Sequence, residues 1–69
     1  MHACNKNIQK ALQLAQRLSA LSEDALVASD DPSCAPLYCV ARECALKIRG
    51  LAERERQAHI SRGTWDGPP

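Results

Sequence analysis

The sequence predicts an all-α protein, a two-helix antiparallel hairpin that dimerises into a four-helix bundle. Three observations lead there. Two amphipathic stripes of similar length flank a breaker segment, Asp30-Asp31-Pro32-Ser33-Cys34-Ala35-Pro36. Apolar residues make up 45% of the 69 positions, mostly Ala and Leu, with no Phe, one Tyr and one Trp. Ala and Leu favour helix, and few residues here favour strand. A chain this short also leans on disulfides, metal or oligomerisation to complete a core.

The first helix is expected from about Asn5 to Ala28, after a short N-terminal extension (1–4). Asn5 or Asn7 can cap it. At about 100° per residue, Ile8, Ala11, Leu12, Leu14, Ala15, Leu18, Leu21, Ala25 and Leu26 share half of the cylinder. An arc that wide suits a helix with two neighbours, as in a four-helix bundle.

The second helix is expected from about Ser33 to Ile60, with Ser33 as cap and Pro36 in the first turn, where no acceptor awaits its missing N–H. Its main apolar face is Leu37, Val40, Ala41, Cys44, Ile48, Leu51 and Ala52, flanked by Tyr38 and Ala45. Cys44, on that face, reads as a small buried hydrophobe. Cys39, Leu46 and Gly50 fall on the opposite side as a narrow second stripe, read either as scattered surface residues or as a contact for another chain. Residues 61–69, rich in Gly and Pro, read as a flexible tail with Trp65 as its one sticky residue.

Charge patterning bears on how copies meet. Glu23, Asp24, Asp30 and Asp31 crowd the turn end, while Lys6, Lys10, Arg54, Arg56 and Arg62 crowd the open end. Two hairpins packed antiparallel set acidic ends against basic ends. In outline such a dimer resembles the Rop-type plasmid regulators, dimers of helical hairpins that bind RNA. The likeness is one of architecture, with no shared motif.

The formal net charge of +1 supplies no global field for nucleic acid. No stretch approaches the ~18 apolar residues of a membrane span, and the N-terminal residues lack a signal-peptide core. A cytoplasmic protein with reduced thiols is expected. Cys34-x4-Cys39-x4-Cys44 is no zinc spacing, because steps of five residues scatter thiols around a helix. A better candidate metal set is Cys4, Glu55 and His59 at the open end, where the last two stand one turn apart and His2 lies near. Redox sensing is the other role for the thiols, through a bridge between copies at Cys39. No phosphate loop, carboxylate pair or triad pattern appears, so neither catalysis nor a cofactor is expected.

The sequence thus predicts a small non-enzymatic protein acting by helix–helix association, as a homodimeric regulator or an accessory subunit of a protein partner. Leu14, Leu18, Leu21, Leu37, Val40, Cys44, Ile48 and Leu51 are expected to carry it, with Cys39, Leu46 and Gly50 as a second face. A nucleic-acid-binding regulator using the basic open end is the alternative, and a metal- or redox-responsive module is the next.

Overall fold

The computed structural model describes residues 2–28, 33 and 35–68. Two helices account for most of them: α1 (Ala3–Ala28) and α2 (Ala35–Ser61). They lie antiparallel, with the start of α1 against the end of α2. Among the described residues there is no strand. The rod measures 48 × 17 × 15 Å. Asp30, Asp31 and Cys34, which entered the expectations for the turn, lie outside the described residues.

The helices meet along a seam of small side chains. From α1 come Ile8, Ala15 and Ser22, and from α2 Ala45, Ala52 and His59, all buried. Each set repeats every seven residues, the spacing that holds one helix edge against a neighbour. Methyl and hydroxymethyl groups let the two backbones approach closely. The buried Ser22 hydroxyl donates back to the Leu18 carbonyl at 2.8 Å, so the polar atom in the seam is satisfied.

This placement corrects the expectation for Cys44. It is exposed, because the seam runs one flank away along Ala45 and Ala52. The larger apolar residues stand beside the seam as well. Leu14 and Leu21 keep 56% and 57% of their surface, and Leu37, Val40 and Leu51 are similarly bare. Helical geometry puts all five, with Cys44, on the same broad side of the hairpin, where Ala11, Ile48, Leu51 and Ala52 also line a shallow groove.

Neither Asn5 nor Asn7, the two candidate caps, caps α1, which begins before both, at Ala3. Asn5 sits inside α1 with its side chain buried, and the first turn closes on the His2 carbonyl through Lys6 N–H at 3.0 Å. α2 ends in a Schellman motif: Thr64 N–H reaches the His59 carbonyl at 2.8 Å and Gly63 N–H the Ile60 carbonyl at 3.0 Å. Gly63 supplies the left-handed residue, φ 74°. The chain then turns back. Trp65, in the segment expected as a flexible tail, lies beneath the Arg56 guanidinium, 5.5 Å from the ring centroid. Its indole N–H donates to the Pro68 carbonyl at 2.9 Å.

The two helix-associated glycines should respond oppositely to alanine. A Cβ on Gly50 meets nothing within 4 Å in the hairpin, so Gly50→Ala should stabilise it by about 0.5–1 kcal/mol in urea unfolding. A loss instead would mean that another chain packs there. Gly63→Ala also meets no atom but must hold φ 74°, and should cost about 1 kcal/mol.

Candidate functional site

The open end of the hairpin gathers most of the polar chemistry. Asn5 and His59 face each other there, both buried, one from the first turns of α1 and one from the last turn of α2. The Schellman turn delivers Thr64 and Asp66 to the same place. Asn5 Nδ2 donates to the Thr64 carbonyl at 2.8 Å and to Asp66 Oδ1 at 2.6 Å. Asp66 Oδ2 accepts from the His2 backbone N–H at 2.8 Å. Two chain ends far apart in sequence are thus pinned through one amide side chain.

That amide also settles a tautomer. Both Nδ2 hydrogens are used, so the oxygen Oδ1 is what meets His59 Nδ1, at 2.5 Å. An amide oxygen only accepts, and Nδ1 must carry the hydrogen. In the neutral ring Nε2 is then bare. It points at Cys4 Sγ, 3.7 Å away. Glu55, one turn before His59, brings Oε2 to 3.9 Å from the same nitrogen, from a largely exposed side chain. The Cys4 thiol is free and open to solvent.

Cys4 Sγ and Glu55 Oε2 therefore both lie near His59 Nε2. His2 does not join them; its ring lies 3.9 Å from Asp66 instead. Among the described residues no group of three or more His, Cys, Asp or Glu is arranged to hold a metal ion. Cys39 and Cys44 are free and exposed along α2, away from both histidines. Leu46 and Gly50 line a shallow depression on the outer side of α2 with Lys47 and Arg54. Sequence reasoning missed Asn5 and Asp66 as members of the site. Asn5 precedes Ile8 by one turn on the buried edge of α1, and a polar residue on a buried edge was the available signal.

Electrostatics follow from these contacts. The Asn5 amide hydrogen bond holds the Asp66 carboxyl below its ordinary value of 3.8 against an opposing desolvation, with a lesser contribution from the His2 backbone N–H. No helix of the described residues is long and apolar enough to cross a membrane. No family model, no curated protein and no solved structure matches the chain.

Two measurements test the cluster. Asn5→Ala leaves His59 Nδ1–H and the Thr64 carbonyl without partners, and should cost about 2–3 kcal/mol in urea unfolding, with Trp65 fluorescence shifting toward that of a solvated indole. Acid titration reads Asp66. A depressed carboxyl stabilises the fold above the ordinary value of 3.8, and that contribution is lost as pH falls below it through the lower folded value. Asp66→Asn should remove this part of the acid transition.

Proposed function

We propose that this chain is a non-enzymatic association module whose leucine-rich side pairs with a second copy of itself into an antiparallel four-helix dimer. One observation carries the reading: apart from Asn5, Ile8 and His59 the hairpin closes on alanine and serine, and Leu14, Leu21, Leu37 and Leu51 stay exposed. Leu14, Leu21, Leu37, Val40 and Leu51 stand on one side of the rod, with Leu18 and Ile48 half-buried beside them and Cys44 among them. A contiguous apolar face of this kind marks an interaction site.

Area supports a partner of this size. The chain presents 5097 Å² to solvent. A compact monomer of 7.5 kDa would present about 4,200 Å². The excess of roughly 850 Å² is what each partner contributes to a standard interface, about 800 Å². Charge favours a second copy over an unrelated chain. By helical geometry Asp24 borders the face toward the turn, Lys10 and Arg54 border it toward the open end, and Arg17 and Lys47 lie between them. A two-fold axis across the rod brings each acidic border against the partner copy's basic one. The nucleic-acid reading has less behind it, since Arg56 at the open end is engaged by Glu53 at 3.4 Å and by Trp65.

Native mass spectrometry and sedimentation equilibrium under reducing conditions test this. The wild-type chain should be a dimer. Leu21→Glu, whose site is exposed in the single hairpin, should raise the dissociation constant by about a hundredfold or more, because an ionised carboxylate is costly in an apolar interface. Helical circular dichroism should persist in the variant at high concentration. A wild-type monomer that keeps its helicity would sink the reading and leave the face for a different protein.

A further inference from the structure

The open end holds a thiol, a base and a group that orients the base, which is the general arrangement of an activated nucleophile. We propose that Cys4 is a reactive thiol that forms a mixed disulfide with low-molecular-weight disulfides of the glutathione type. Cys4 Sγ lies 3.7 Å from His59 Nε2. Asn5 keeps the hydrogen on Nδ1, so Nε2 is free to take the thiol proton. Asn5 is itself locked by Thr64 and Asp66, so the ring cannot swing away without breaking the chain-end clasp.

Glu55 Oε2 lies 3.9 Å from the same Nε2 that Cys4 Sγ approaches. Cys4 occupies the first turn of α1, at whose start the Asp66 carboxylate accepts from the His2 backbone N–H. The chain's two histidines both lie at the open end, so Cys39 and Cys44, although exposed, have no imidazole beside them.

The reaction balances without a further oxidant. Sγ gives its proton to His59 Nε2 and attacks one sulfur of the incoming disulfide. A new S–S bond forms at Cys4 as the incoming S–S bond breaks. Its electron pair leaves with the departing sulfur, which takes the proton back from Nε2. Cys4 is oxidised to the mixed disulfide, and the other half of the reagent is reduced to a thiol.

Full-length reduced protein should be mixed with oxidised glutathione at neutral pH, quenched in acid, digested, and mapped by mass spectrometry over time. Cys4 should be modified about tenfold faster than Cys39 or Cys44 in the folded chain, and the rates should converge in denaturing urea. His59→Gln, with helical circular dichroism retained, should bring Cys4 down to the rate of Cys39. Equal rates in the folded wild type overturn the proposal, as does a folded His59→Gln variant in which Cys4 stays fast. If His59→Gln unfolds, the comparison of folded and urea-treated wild type still decides.

Discussion

The structure depends on how closely α1 and α2 can approach. Ala15 and Ser22 on one side and Ala45 and Ala52 on the other leave almost no side chain between the backbones. Two helices in contact can bury only the residues along their shared edge. Small residues at that edge give a tight seam but little apolar area, and each methyl contributes far less than a leucine would. The hairpin gains proximity and gives up transfer free energy. Its larger apolar groups are left for some other surface.

Proximity has a second effect at the open end. Where the seam runs out, the helices are still close enough for Asn5 and His59 to touch directly. A buried imidazole and a buried amide are tolerable only if their polar atoms are paired. Asn5 meets that demand by engaging Thr64 and Asp66, which the turn at Gly63 returns to the start of α1. Backbone geometry at one glycine therefore reaches the protonation pattern of His59. Wider separation of the helices would have admitted water, and the tautomer would no longer be dictated.

The helices and their antiparallel order were legible because the apolar period and the Pro-rich breaker state them directly. The nearness of Cys4 to His59 follows from that order, and the nearness of Glu55 from its place one turn before His59 on α2. What was not legible was which edge the helices share. Hydrophobicity weights leucine above alanine, so the pattern pointed to the Leu37, Val40 and Cys44 edge of α2. The heptad Ala45, Ala52 and His59 was the better indicator of contact, because close approach selects for size rather than hydrophobicity. Asn5 was read as a cap for a similar reason. Asparagine at a helix start is usually answering local backbone N–H groups. Its partners here are His59, Thr64 and Asp66, at the far end of the chain, and no local pattern encodes them.

The two exposed features share a border. Cys4 lines the same groove as Ala11, Ile48 and Leu51, on the side of the hairpin where the bare leucines stand. The thiol is open because it lies at the end of the rod, beyond the last small-residue contact of the seam. The leucines are open because no described residue reaches across them. Both conditions follow from a two-helix protein that closes on alanine: its apolar side has no cover, and its polar end is held shut by hydrogen bonds rather than by packing. A group added at Cys4 would enter at the margin of that apolar side, beside the contact between Asn5 and His59, and would meet the surface proposed for a second copy at Leu51.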